Sequence, residues 1–281
     1  METKPDLDRF DSRRSTAYAR NGMVATSQPL AAQAGVSVLR DGGNAFDAAV
    51  TTAAALNVVE PMSTGIGGDV FALYRTADGD VGGFRSCGGA PAAATRETVR
   101  ERVAERSGVD PAEASMPDAG PLAVTVPGTV RGWERLLDDY GRRSLSTALQ
   151  PAIEYATEGF PVSEVIADMW TVAETLFTDA DAREEYLIDG RAPESGEVMR
   201  LPDLGETLHT IATEGADTFY EGPLADRIAE AVRERGGVLA AEDLAGFDPE
   251  YVDPVSTTYG GAEVYELPPN NQGLIALEAL N

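Results

Sequence analysis

The chain has 281 residues, 43% of them hydrophobic, and carries 47 acidic against 22 basic side chains for a formal charge of −25. That balance argues against nucleic acid as a partner, because phosphate binding needs clustered basic residues that release counterions. A single cysteine, Cys87, leaves no intrachain disulfide and no cysteine cluster for zinc. No apolar run reaches the roughly 20 residues that span a bilayer, so the sequence predicts a cytoplasmic protein with no membrane partner. Arg13-Arg14 could open an export signal, but no sustained apolar region follows it. Lys4 is the only lysine. A surface this acidic repels itself in dilute buffer and is screened at about 1 M salt, where the Debye length is about 3 Å; it reads as the mark of a salt-loving source.

Residues 1–20 are charged and poor in aliphatic side chains, which predicts a flexible leader before one partial domain over 21–281. Met23–Ser27 reads as a short strand. Pro29 suits the first turn of a helix that runs to Arg40, and Asp41-Gly42-Gly43 closes it. Asn44 can cap a second helix, Ala45 to about Val59, which is apolar nearly all round and therefore belongs inside the fold. Val70–Tyr74 and Val81–Arg85 flank an Asp78-Gly79 turn, the pattern of a β-hairpin, and Leu122–Val126 reads as a third strand. Helices are predicted at about 129–140, 144–158, 163–177, 203–214 and 223–235, with glycine stops after most of them. Val255–Tyr259 and Ala262–Leu267 form a second hairpin around Gly260-Gly261, and strong helix formers run from Leu274 to the last residue without a C-cap. Few strands and many helices predict an α+β fold in which helices cover a mostly antiparallel sheet.

A set of glycine and proline marks then falls into a recognisable order. They are Gly42-Gly43-Asn44-Ala45-Phe46-Asp47, Pro61, Gly65-Ile66-Gly67-Gly68-Asp69, Phe84-Arg85, Val126-Pro127-Gly128, Gly159-Phe160-Pro161 and Gly236-Gly237. From about Gly22 onward this order resembles the large-subunit portion of the γ-glutamyltransferases. The resemblance implies the αββα layered sandwich of the N-terminal-nucleophile hydrolases, incomplete in this chain, with half of the central sheets supplied by another segment.

It also implies a mechanism. Such enzymes cut themselves before a threonine, whose hydroxyl then attacks a γ-glutamyl amide while its own free α-amine serves as base. Neither that threonine nor its signature is present here, so the chain reads as a large-subunit piece, inactive by itself. Its expected partners are a carboxy-terminal segment bearing the threonine and a small γ-glutamyl or related amide substrate. No cofactor and no metal are implied. Two alternatives stand beside this reading: an amidohydrolase or acylase of different acyl specificity, and a non-catalytic binding or assembly protein descended from the enzyme.

Among the candidate residues Arg85 comes first. The resemblance makes it the anchor for a substrate carboxylate, since a guanidinium grips a carboxylate through parallel hydrogen bonds; the competing reading is a structural ion pair. Ser86 stands where the family carries an acidic neighbour, and Gly89 where some amidohydrolase relatives carry an arginine. The Gly65–Asp69 turn lacks a P-loop ending and reads as a tight connection into the hairpin, with lining of the substrate pocket as the alternative. Cys87 could act as a nucleophile only with a base beside it, and His209, the one histidine, lies far away in sequence. Asp47, Asp69 and Glu242-Asp243 could serve as metal ligands or acid–base carboxylates, but on so acidic a chain the signal is weak; Asp47 reads more simply as holding a neighbouring backbone or helix terminus, and Glu242-Asp243 as the first turn of a short helix. Trp133 and Trp170 lie on apolar helix faces and read as core.

Overall fold

The structure, a computed structural model, describes residues 16–281. Arg13-Arg14 and most of the 1–20 segment therefore lie outside the described residues. In chain order the first elements are α1 (Pro29–Arg40), α2 (Ala45–Val59), β1 (Val70–Arg75), β2 (Val81–Ser86), α3 (Arg96–Ser107), α4 (Thr129–Tyr140) and α5 (Leu145–Glu158). Next come β3 (Phe160–Pro161), α6 (Glu164–Trp170), α7 (Ala173–Leu176), α8 (Ala180–Tyr186), β4 (Val198–Met199) and α9 (Pro202–Glu214). The last are α10 (Asp217–Tyr220), α11 (Pro223–Glu234), α12 (Ala241–Ala245), β5 (Glu250–Val252), β6 (Val255–Tyr259), β7 (Ala262–Glu266) and α13 (Gly273–Leu280). The class is mixed α+β, as expected. The chain divides into two units, Met1–Gly65 with Leu136–Gly215, and Ile66–Arg135 with Ala216–Asn281.

The first unit is helical because its caps and apolar faces say so. Gln28 accepts the N–H groups of Leu30 (2.5 Å) and Ala31 (3.3 Å) to start α1, and Asn44 accepts those of Phe46 (2.9 Å) and Asp47 (3.1 Å) to start α2. Asp47 closes the capping box by accepting Asn44 N–H at 2.7 Å. With Val50, Ala54, Ala55 and Val58 buried, α2 packs against α1 and α5, and α5 packs against α9, with Leu149 and Ala152 of α5 and Leu208 and Ile211 of α9 buried. Each fully buried Val or Leu contributes about 1.5–3 kcal/mol of transfer free energy.

The predicted helix over 163–177 is corrected to two. Trp170 is buried with its indole N–H donating to Tyr186 O at 2.8 Å, and between α6 and α7 the backbone bonds tighten, Val172 N–H donating to Met169 O at 3.4 Å while the Thr171 hydroxyl donates to Asp168 O at 2.7 Å. The short β3–β4 pair and α8, capped by Asp179 at 3.2 Å from Ala182 N, had no counterpart in the sequence reading. Met23–Ser27 has no ladder partner among the described residues, so the strand predicted there is not formed.

In the second unit the β1–β2 hairpin forms as predicted, with Thr76 N–H donating to Asp80 O at 2.9 Å, and β5 adds to give the order β1-β2-β5. The β6–β7 hairpin turns on Gly260 and Gly261, at φ +58° and +82°. Two consecutive positive φ angles match the right-handed twist of the strands and are strained for residues with a Cβ. Leu122–Val126 is not a third strand: Val126 exchanges hydrogen bonds with Gly88 and Gly89, at 3.1 and 3.0 Å, and Pro127 has no N–H to continue a ladder. The missed helix α3 is charged almost all round, with only Val99 buried, which explains its weak signal. Trp133 is core, and Arg131 at the start of α4 lies 4.4 Å over the Tyr220 ring while donating to Phe247 O and Asp217. Burial pushes the Tyr220 hydroxyl pKa up.

Candidate functional site

Strand β2 carries the candidate residue Arg85, and alternation sends its side chains to opposite faces. Phe84 points inward, fully buried, with the Tyr251 ring 5.1 Å away. Arg85 points to the other face, where its register partners are Phe71 on β1 and Glu250 on β5. That face is open at its β1 edge, since Phe71 and Leu73 remain 42% and 41% exposed.

Arg85 is held on three sides. Its Nε donates to Glu250 Oε1 at 2.9 Å and its Nη2 pairs with the same oxygen, while Nη1 donates to Pro269 O at 2.6 Å and, at 3.4 Å, to Asn270 Oδ1. These bonds leave an Nη2 N–H over for a further acceptor. The segment after β7 crosses this face: Leu267 packs where a Cβ on Gly83 would stand, and Asn270 Nδ2 donates to Cys87 Sγ at 3.1 Å. Arg85 thus sits in an ion pair and also faces an open, partly apolar strand surface.

Beneath Arg85 the glycine turns interlock. Ser86 is buried and donates to Gly128 O at 2.6 Å, and Gly128 and Thr129 donate N–H to Gly68 O at 2.8 and 3.0 Å. Motifs far apart in sequence therefore meet at the end of β2. Gly128 has no alternative: a Cβ there would lie 2.5 Å from Ser86 C and 3.0 Å from Cys87 N. Ser86, at the position of the family's acidic neighbour, is committed to this backbone lock.

Asp47 is fully buried and accepts the N–H groups of Asn44, Arg142 and Arg143, so it ties a helix cap to a distant loop. Asp243 accepts the N–H groups of Ala240 and Ala92, both at 2.9 Å, at the start of α12. Burial raises the Asp69 carboxyl pKa. His209 is an exposed residue of α9 in the first unit, whereas Cys87 belongs to the second and takes its hydrogen bond from Asn270. Among the described residues no group of three or more His, Cys, Asp or Glu side chains could hold a metal ion, and no helix is long and apolar enough to cross a membrane. Glu250, Pro269 and Asn270 were invisible to the sequence reading, because the strand that carries Glu250 is three residues long and shows no periodicity.

A sequence model described as gamma-glutamyltranspeptidase matches residues 31–281. The chain is 34% identical to the glutathione hydrolase proenzyme of Bacillus subtilis over 277 residues, covering 98% of this chain and 46% of that protein. It is also 34% identical to the oxamate amidohydrolase proenzyme of Klebsiella pneumoniae, covering 95% of this chain and 50% of that one. The crystal structure of cephalosporin acylase from Bacillus halodurans superposes with a TM-score of 0.86 at 43% identity, over 100% of this chain and 52% of that chain. The chain spans about half the length of the curated relatives it matches. A match over this much of the chain, on a fold whose glycine turns lock together behind Arg85, places the chain in the γ-glutamyltranspeptidase family.

Proposed function

We propose that the chain forms the acyl-binding half of an amide-cleaving acyltransferase or hydrolase, in which Arg85 receives a substrate carboxylate. The observation that carries the proposal is the placement of Arg85, on an open strand face with a donor to spare. The attack belongs to the amino-terminal threonine of the remaining polypeptide: its α-amine takes the hydroxyl proton, the oxygen adds to the amide carbon, and the leaving nitrogen departs with a proton. The acyl group then passes to water or to an acceptor amine. Arg85 contributes by fixing the acyl group's far end, so that the scissile carbonyl meets the nucleophile in one orientation.

Two further features favour a chain built to pair with another segment. Residues 23–27 have no ladder partner among the described residues, and β1 and α13 leave Phe71, Leu73 and Ile275 exposed. In this reading the isolated chain is inactive.

A second reading keeps the fold and changes the acyl group. Ser86 is locked to Gly128 and Glu250 already occupies one edge of Arg85, so the surroundings of the guanidinium differ from the γ-glutamyl pattern. Relatives named for oxamate and for cephalosporin support this second reading.

The assay uses the protein joined to its threonine-bearing portion, with a γ-glutamyl anilide and an analogue lacking the α-carboxylate. Arg85→Lys is expected to raise KM for the first substrate about ten- to a hundredfold, the scale of one lost charge-assisted contact, and to leave the second unchanged. Indifference of the wild type to the carboxylate selects the other acyl specificity. Turnover by the 281-residue chain alone, abolished by Cys87→Ala, would overturn the proposal.

A further inference from the structure

The second unit contains a cavity of about 410 Å³ bounded by α3, the loop after β2 and the 114–125 segment. Its walls are apolar, with Pro91, Val99, Met116 and Leu122 among them, and its charged residues are Arg96 and Arg100 alone. These two lie one helical turn apart on the same side of α3, with Val99 buried between them. Neither guanidinium has a hydrogen bond or ion pair among the described residues.

This combination runs against the rest of the chain. Acidic side chains outnumber basic ones by 47 to 22, yet no carboxylate lines this cavity. Glu97 and Glu101 stand next to the two arginines in sequence, but alternate onto other sides of α3 and take no part in the lining. The volume falls in the range of about 300–1,000 Å³ that small-molecule sites occupy, and a hydrocarbon wall with few convergent polar groups is their usual make-up.

We propose that this cavity binds a small carboxylate bearing an aliphatic or aromatic tail. The tail fills the space beside Pro91, Val99 and Leu122, where transfer from water drives binding. The carboxylate takes hydrogen bonds from Arg96 and Arg100, whose forked donors suit its two oxygens. Arg85 does not line the cavity, so the inference is independent of the acyl-binding role proposed above.

The test is a calorimetric titration of the full 281-residue chain with 4-phenylbutyrate and with its uncharged amide. Saturable binding of the acid is expected, with the amide and an Arg96→Gln/Arg100→Gln variant each weaker by about tenfold or more, the scale of a lost charge-assisted contact. Carbon-13 methyl labelling of methionine gives a positional readout, because Met116 lines the cavity. Its signal, assigned with Met116→Leu, should shift on titration. Ala94→Leu, which narrows the cavity while leaving both arginines, should also weaken binding and keeps the idea testable if the double variant fails to fold. Absent saturation by the acid, equal affinity for the amide, or shifts at other methionines with Met116 silent would each overturn the proposal.

Discussion

Arg85 and Glu250 are register partners across the β2–β5 ladder and are joined side chain to side chain, although 165 positions separate them in sequence. The pair closes one edge of the guanidinium that the family resemblance assigns to the substrate. Glu250 keeps 57% of its side chain exposed, so water screens the pair. Glu250→Gln should therefore change stability by less than about 1 kcal/mol. On the carboxylate-binding role proposed for Arg85, the same substitution, made in the protein joined to the threonine-bearing portion which that proposal requires, should lower KM for a carboxylate-bearing substrate, because an occupied edge of Arg85 is released. Thermal melting and steady-state kinetics on one preparation check both halves. A raised KM would mean that Glu250 aims the guanidinium instead of competing for it.

Asp47 should tolerate very little change. Its carboxylate, with no exposure to solvent, satisfies backbone N–H groups of Asn44, Arg142 and Arg143. Asp47→Ala leaves all three donors without this acceptor at a part-buried site; with about 1–3 kcal/mol for a fully buried donor left unmet as the upper scale, a loss of about 2 kcal/mol or more is expected. Asp47→Asn retains one acceptor oxygen and should lose less. Urea denaturation followed by circular dichroism orders the two variants, and equal midpoints for Asp47→Ala and the wild type would refute this account.

The Arg191–Glu197 pair sets an acid-side signature. Arg191 donates to both carboxylate oxygens at 2.8 Å and Glu194 N–H adds a third bond at 2.6 Å, so Glu197 is held well below its ordinary 4.5, at about 2. A depressed folded-state pKa means that the stabilisation is complete above the ordinary value and is lost as pH falls from about 4.5 toward about 2. A carbon-13 titration of the Glu197 carboxyl should find its midpoint in that low range, and Arg191→Gln should return it toward 4.5. A wild-type midpoint already near the ordinary value would show that the pair is open in solution.

What could be read from the chain was local. Asn44 announces a cap because its side-chain oxygen reaches N–H groups two and three residues on, and Gly260-Gly261 announces a turn because both positions need positive φ. The limits of α1, α2, α5 and α9 follow from such marks within a residue or two. The same locality explains the errors. Short apolar runs look alike whether or not a partner strand exists, and in Leu122–Val126 the last residue meets Gly88 and Gly89 without a ladder forming. The strand β5, three residues long, is too short to carry a period.

Most of the helices, both hairpins and the family were thus legible in the chain alone, because caps and turns belong to single residues and their immediate neighbours. The folded molecule was needed to reveal that Glu250 and Pro269 hold Arg85, that Gly68, Ser86 and Gly128 lock together, and that Arg96 and Arg100 border an apolar cavity free of carboxylates. Those relationships arise when distant segments share a surface, and hydrogen-bond satisfaction across such a surface leaves no periodic trace along the chain.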